Sequence, residues 1–459
     1  MLTRQTFRLE AKSVAMRPPG PRGLPLVGNL MDIRRDALGF FTECSHRYGD
    51  IVGMRLGTWP AILLNNPHYA ESVLVKNHSK FIKHRVFWRH VVALFGNGLL
   101  TSEGEFWHRQ RRLAAPAFRA ERLACYGEVM VRQTSRMLDG WEPGEIRDLH
   151  RELLGLTYGI AAETLFDSEI KQRAESIQDD VRAVIREIAS RIVRPFVIPD
   201  CIPLPGHVRY RRVVRRIDRY IRKIIDEQRA RPTGSHGLLS MLLSARDESG
   251  RPMSDRQLRD EAVTLLLAGH ETIALALTWT WYLLAQHPEI DAKVAEEVGR
   301  ILGGRAATVG DIPHLRFTEQ VVMEAMRLYP PAWFFGREAL CDFEIGPYIV
   351  RKGTTILISP WVLHRDPRFF EAPAQFRPER WGTGMSGRLP RFAYMPFGGG
   401  PRVCIGSRFA MTEAILVLAT VTQRFRLKWE GEKPIVPLPS ITLRPKGGLR
   451  MRLVPRRTA

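Results

Sequence analysis

A chain of 459 residues with 44% hydrophobic content carries enough apolar side chains for a large buried core. Its formal charge of +21 is carried mainly by arginine and spread through predicted helices such as 209–231, so either solvated helix faces or a surface that docks an acidic partner protein accounts for it. No zinc-finger spacing, aromatic ribonucleoprotein motif or basic-zipper heptad accompanies the charge, which excludes nucleic acid as its partner. Five cysteines without a CxxC pair (Cys44, Cys125, Cys201, Cys341, Cys404) exclude a disulfide framework, a zinc ribbon and an iron–sulfur cluster.

Along the chain, residues 1–17 lack the apolar core of a signal peptide or the run needed to span a bilayer, and read as a flexible N-terminal segment. No integral membrane segment is expected, and the protein reads as soluble and cytoplasmic. Pro18-Pro19-Gly20-Pro21, then Gly23, Pro25, Gly28 and Asn29, form a stiff non-helical lead. Residues 51–57 and 61–65 predict short strands around Thr58-Trp59-Pro60, and 343–358 predicts a second strand-rich patch with turns at Gly346-Pro347 and Lys352-Gly353. Almost everything else reads helical. The clearest helix runs from Asp255 to Gln286, where Leu258, Ala262, Leu265, Leu266, Gly269, Ile273, Leu277 and Trp281 recur at helical spacing and His287-Pro288 stops it. Others are predicted over Pro288–Leu302, Phe317–Tyr329 and Ile405–Phe425. Without a linker or repeat, 18–459 reads as a single domain.

Four motifs carry chemistry. In Phe397-Gly398-Gly399-Gly400-Pro401-Arg402-Val403-Cys404-Ile405-Gly406 a cysteine stands just ahead of a helix N-terminus, where backbone N–H groups favour the thiolate that a metal requires. The glycines let backbone approach a flat cofactor, and Arg402 offers a bidentate fork to a carboxylate. Glu324 and Arg327 share a helix face at i,i+3, as Glu248/Arg251 and Glu297/Arg300 do; only Glu324/Arg327 is followed by Tyr329-Pro330-Pro331 and then Phe376-Arg377-Pro378-Glu379-Arg380. Ala268-Gly269-His270-Glu271-Thr272 puts an acid beside an alcohol in mid-helix, where both need partners or water. Trp107 and Arg111 lie one turn apart, so both can reach one anionic group, while Arg109 and Arg112 read as solvent-facing.

Taken together, from Pro18 to Ser440-Ile441-Thr442, these residues resemble the cytochrome P450 superfamily. Its ligand loop has Phe, Gly, Arg, Cys and Gly where Phe397, Gly400, Arg402, Cys404 and Gly406 stand here. The resemblance implies a mainly α fold with small β-sheets, a triangular helical prism with helix-rich and β-rich portions and a long central helix over the haem. It implies haem b with Cys404 as the axial ligand of iron, framed by Phe397 and Gly406. Trp107, Arg111, Arg337 and Arg402 fall at the propionates and Ala268 against haem and substrate. Glu324, Arg327 and Arg380 become a buried structural triad. Thr272 falls against dioxygen, Glu271 in a water relay that brings protons to it, and Gly269 leaves room for both.

The implied activity is that of a soluble, bacterial-type haem-thiolate monooxygenase that hydroxylates or epoxidises a lipophilic substrate (terpenoid, fatty acid or polyketide-like). It would use O2 and two electrons from a separate ferredoxin or flavodoxin with its NAD(P)H-dependent reductase. Neither a microsomal anchor ahead of Pro18 nor a fused reductase after Cys404 is expected. Candidate pocket walls are Phe95, Leu99, Ala268, the run Ala332-Trp333-Phe334-Phe335, and Ile441, with a lid around Phe196 in 167–230. A peroxide-dependent peroxygenase, an isomerase on the same scaffold and a non-catalytic haem sensor are the alternatives; the Glu271-Thr272 pair favours O2 chemistry.

Overall fold

The computed structural model describes residues 17–166, 204–230, 237–382 and 384–456, with single positions between 180 and 202. The N-terminal segment up to residue 16 and the lid position Phe196 lie outside the described residues. Helix α1 (Leu30–Tyr48) leads into the hairpin of β1 (Ile51–Leu56) and β2 (Trp59–Leu64). After β3 (Phe81–Ile82) come α2 (Arg85–Phe95), α3 (Gly104–Ala114) and α4 (Ala120–Leu138), then β4 (Ile146–Asp148), α5 (Leu149–Phe166) and α6 (Pro205–Arg229). The central element is α7 (Asp255–Gln286), followed by α8 (Pro288–Leu302) and α9 (Arg316–Leu328). Strands β5 (Phe335–Ala339), β6 (Phe343–Ile345), β7 (Tyr348–Val350) and β8 (Thr355–Ile358) precede α10 (Ser407–Arg424). The chain closes with β9 (Phe425–Trp429), β10 (Pro437–Pro439), β11 (Leu443–Pro445) and β12 (Arg450–Pro455).

The expected class, mainly α with small sheets, is what the chain forms. A five-stranded sheet runs β1-β2-β8-β5-β3, with β2 and β8 parallel and the remaining pairs antiparallel. Its inner strand β8 (Thr-Ile-Leu-Ile) is buried throughout, as β-branched and aliphatic residues allow. The sheet β4-β12-β9 and the strands β5, β10 and β11 were not expected from sequence. They are short, and β4 pairs with a segment at the far end of the chain (Arg450 opposite Asp148), so no local periodicity betrays them.

Ser254 and Gln257 cap the start of α7 reciprocally, and Pro288, which has no N–H to give, ends it at His287. Length and hydropathy would let α7 cross a membrane, but here it is the core: α5, α9 and α10 pack along it. Its C-terminal half (Ile273, Leu277, Trp279) belongs to one apolar cluster with Met130, Val294, Val322 and Leu416; its N-terminal half (Leu258, Ala262, Leu265) belongs to a second with Phe95, Tyr158 and Ile221.

Helix α9 carries a charge network with no access to water. Glu324 and Arg327 are both 0% exposed. All five donors of Arg327 are used: Nε and Nη2 on Glu324 (2.9 and 2.8 Å), and the remaining N–H groups on the carbonyls of His364, Pro373 and Gln375 (2.8, 2.7 and 3.0 Å). Glu324 also accepts from Arg380 Nε and Trp381 Nε1, both at 2.9 Å, and from the Arg377 N–H at 3.1 Å. The other two Glu/Arg spacings form no such pair. Glu297 caps α9 by accepting from Phe317 and Thr318, Glu248 pairs with Arg112, and Arg251 with Asp247.

Removing one partner of such a network strands a buried charge, so Arg327→Met is expected to lower stability by about 3–5 kcal/mol. Arg251→Met removes an exposed side chain from Asp247, which keeps its pair with Arg109, and should stay within about 0.5 kcal/mol of the parent. Thermal or urea unfolding checks both; equal losses would contradict the assignment.

Candidate active site

From Leu258 to Leu284 every residue of α7 is buried except Ala268, Gly269 and Thr272. Ala268 and Thr272 stand one turn apart on one face, so the core helix is open at a single place along its length. Thr272 Oγ1 donates to the Ala268 carbonyl at 3.0 Å. Its proton is thereby used, and the hydroxyl keeps lone pairs for the open side.

The predicted ligand loop is held by its own backbone. Gly398 N donates to Met395 O at 3.0 Å, and Cys404 N to Phe397 O at 3.0 Å. Gly400 sits at φ 69°, and a Cβ there would stand 1.9 Å from the Leu74 carbonyl oxygen, so no other residue fits without moving backbone. Helix α10 begins at Ser407, placing Cys404 just before its first turn. The thiol lies deep in the molecule yet has open surface, the signature of a side chain facing an internal space. Burial pushes its pKa up, while the Gly406 N–H and the nearby Arg111 pull it down. Phe397 and Gly406 are half-buried beside it.

A basic cluster adjoins this loop. Trp107 is buried, with the Arg402 guanidinium 4.2 Å and that of Arg111 5.7 Å from its ring centroid. Arg402 donates to Ser102 O at 3.0 Å through one terminal nitrogen and pairs with Glu103 through the other, so the carboxylate it meets is one of the chain's own. Arg337, from β5, donates to Gly336 O at 2.9 Å; burial and the neighbouring Arg402 lower its pKa to about 10. Lys83 is also buried, its ammonium on the Leu100 carbonyl, and burial followed by Arg402 lowers it well below its usual value. Among the described residues neither Arg111 nor Arg337 lies within ion-pair distance of a carboxylate. Such a cluster, beside an inward-facing thiol, suits a planar cofactor that carries carboxylates, as haem b does.

Glu103, the residue just ahead of the Trp107 helix, and Lys83, ahead of α2, escaped the sequence reading because neither belongs to a motif. Arg109, expected to face solvent, instead pairs with Asp247 at 2.9 Å and is half-buried.

Glu271 is buried and points away from the opening at Thr272. Thr442 Oγ1 donates to its Oε1 at 3.1 Å, and Arg444 pairs with the same carboxylate. Phe95 lies in one apolar cluster with Leu265, with Leu100, Ile405 and Ile441 packed against it. This brings three predicted regions together: the wall at Phe95, the hairpin tip at Ile441 and the residue after Cys404. Leu99 is buried, with its N–H on Glu261 at 3.0 Å. Trp333 goes elsewhere: it packs on Phe41 in the cluster under α1 and donates to Ser440 O at 2.8 Å. Phe334 packs against that same cluster, and Ala332 is exposed. Trp333 thus supports the hairpin, and Trp333 and Phe334 belong with an apolar cluster other than that of Phe95.

A family model described as Cytochrome P450 matches residues 18–450. Cyclooctatin synthase of Streptomyces melanosporofaciens is 38% identical over 439 residues, 95% of each chain. Cyclooctat-9-en-7-ol 5-monooxygenase of the same organism is 37% identical, covering 92% of this chain and 90% of that one. Pentalenene oxygenase of Streptomyces avermitilis is 33% identical over 95% and 97%. A solved structure described as retinoic acid bound cyanobacterial CYP120A1 superposes with a TM-score of 0.86 at 26% identity, covering 96% of this chain and 100% of that one. With the inward cysteine, the basic cluster and the open site on α7 in place, the chain belongs to the cytochrome P450 family and is a haem-b monooxygenase.

Proposed function

We propose that this enzyme oxygenates a cyclic terpenoid, hydroxylating or epoxidising it, in one haem-binding unit spanning 18–459. The opening of α7 at Ala268, Gly269 and Thr272 is the observation that carries the reading, because it leaves an apolar helix open only where a small residue, a glycine and an alcohol meet. Of terpenoids, fatty acids and polyketides, the first is favoured by relatives whose names specify cyclooctat-9-en-7-ol and pentalenene.

Cys404 would hold the iron, with its loop fixed by the Phe397 carbonyl; Trp107, Arg111, Arg337 and Arg402 would take the propionates, Arg402 sharing its fork with Glu103. Haem b bound to a thiolate supplies the oxygen-activating chemistry. Thr272, its proton given to Ala268 O, accepts from a water or hydroxyl on the open side and so fixes a proton donor there. Glu271 is the carboxylate that replenishes that donor. Phe95, Leu99, Ala268 and Ile441 exclude water from the substrate. The electrons would reach the site from NAD(P)H through an acidic ferredoxin or flavodoxin attracted by the basic surface, in the cytoplasm.

The substrate assignment is tested by offering cyclic terpene hydrocarbons or alcohols and straight-chain fatty acids with a surrogate reductase under 18O2. One labelled oxygen in the terpenoid is expected; labelling of the fatty acid alone would overturn it. Thr272→Ala should bind haem and substrate as the parent does yet divert most NAD(P)H into hydrogen peroxide, with several-fold less product per NAD(P)H. Unchanged coupling would remove Thr272 from proton delivery. Cys404→His should abolish dioxygen-dependent product formation in protein that still takes up haem, and product at the parent rate would contradict the ligand role.

A further inference from the structure

The turn between β10 and β11 is strapped to α7 and its surroundings. Trp279 Nε1, from α7, donates to Leu443 O at 2.9 Å, Leu443 N to Pro331 O at 3.0 Å, and Trp333 Nε1 to Ser440 O at 2.8 Å. From this anchored hairpin two side chains seize Glu271: the hydroxyl of Thr442, in the turn, at 3.1 Å from Oε1, and the guanidinium of Arg444, in β11, on the same oxygen. The Glu271 and Arg444 side chains are only 8% and 16% exposed, so solvent competes weakly for either. Among the described residues Arg444 Nε is buried without an acceptor, and the Glu271 carboxylate is the guanidinium's ion-pair partner.

Neighbouring helix positions point about 100° apart, so Glu271 does not share the open face of Thr272. A carboxylate that feeds protons to that face needs a fixed resting place from which to reach it. Ile441, next to Thr442, packs against the apolar cluster that contains Phe95. One turn therefore meets the substrate pocket with one residue and the acid with the next.

We propose that Arg444, assisted by Thr442, is a positioning residue of the proton relay: it holds Glu271 on the hairpin side of α7 between turnovers. There the carboxylate takes one proton from a hydronium ion of the solvent, leaving neutral water, then gives that proton to the water held by Thr272, which passes one of its own toward the open side, and returns as a carboxylate to Arg444. The proposal rests on Glu271 carrying protons, as read above.

The experiment compares Arg444→Gln, Arg444→Lys, Thr442→Val, Glu271→Gln and the Glu271→Gln/Arg444→Gln double variant in the haem-loaded enzyme with a surrogate reductase. The readouts are product per NAD(P)H and the solvent deuterium isotope effect on NAD(P)H consumption, with the substrate-induced spin shift as a binding control. Arg444→Gln is expected to lower product per NAD(P)H several-fold and raise the isotope effect without moving the spin-shift titration. Thr442→Val should do the same more weakly, Arg444→Lys should recover most of the coupling, and the double variant should be no worse than Glu271→Gln. If Glu271→Gln uncouples the enzyme while Arg444→Gln and Thr442→Val do not, the positioning role is overturned and the relay stands. An Arg444→Gln effect of equal size in the Glu271→Gln background also overturns it, since the arginine would act elsewhere. If Glu271→Gln leaves coupling and isotope effect unchanged, the relay itself fails, and the positioning role with it.

Discussion

One buried carboxylate organises the half of the molecule that holds the cysteine. Glu324 has no water to turn to, and its charge is tolerable only because Arg327, Arg380, Trp381 and the Arg377 backbone all donate to it. Arg327 in turn spends its remaining donors on the carbonyls of His364, Pro373 and Gln375, which fixes the path of irregular chain that no helix or sheet would hold. The consequence travels further. Burial and the adjacent Arg327 press the His364 pKa down to about 3, so its ring stays neutral and Nε2 can accept the Met395 N–H at 2.9 Å. Met395 O then receives Gly398 N, at the start of the loop that ends in Cys404. The position of the thiol is thus the end of a continuous chain of hydrogen bonds beginning at a salt bridge in α9.

A second constraint acts from the other side. α7 is buried along nearly its whole length, so whatever space it leaves open is set by a few side chains and not by helix placement. Small residues at 268 and 269 create that space, and Thr272 puts the one polar group on it. The hydroxyl is satisfied within the helix by bonding back to the Ala268 carbonyl four residues earlier, so the polar group at the opening is not left without a partner.

Much of this was legible in sequence. The bounds of α7 followed from apolar spacing and the Pro288 stop, since those are local effects, while its Ser254 cap emerged only in the structure. The ligand loop and the Glu324/Arg327/Arg380 triad were placed by the resemblance to the family; the steric and electrostatic reasons for glycine, arginine and cysteine in the loop agree with that placement. What stayed hidden was pairing across sequence distance. Glu297/Arg300 has the same spacing as Glu324/Arg327, yet Glu297, from α8, caps α9 while Glu324 and Arg327 form a buried pair; the spacing itself does not show that difference. Glu103 under Arg402, Lys83 beside it and Arg444 on Glu271 sit in no motif, and Trp333 read as a pocket wall although its ring fills a core under α1. These are outcomes of packing, which a one-dimensional pattern does not encode.

The account turns on Cys404 holding haem iron as a thiolate. Its most direct test is the Soret difference spectrum of the parent enzyme reduced with dithionite and saturated with carbon monoxide. A strongly red-shifted band is predicted. A band where histidine-ligated haem absorbs, or none, would contradict it.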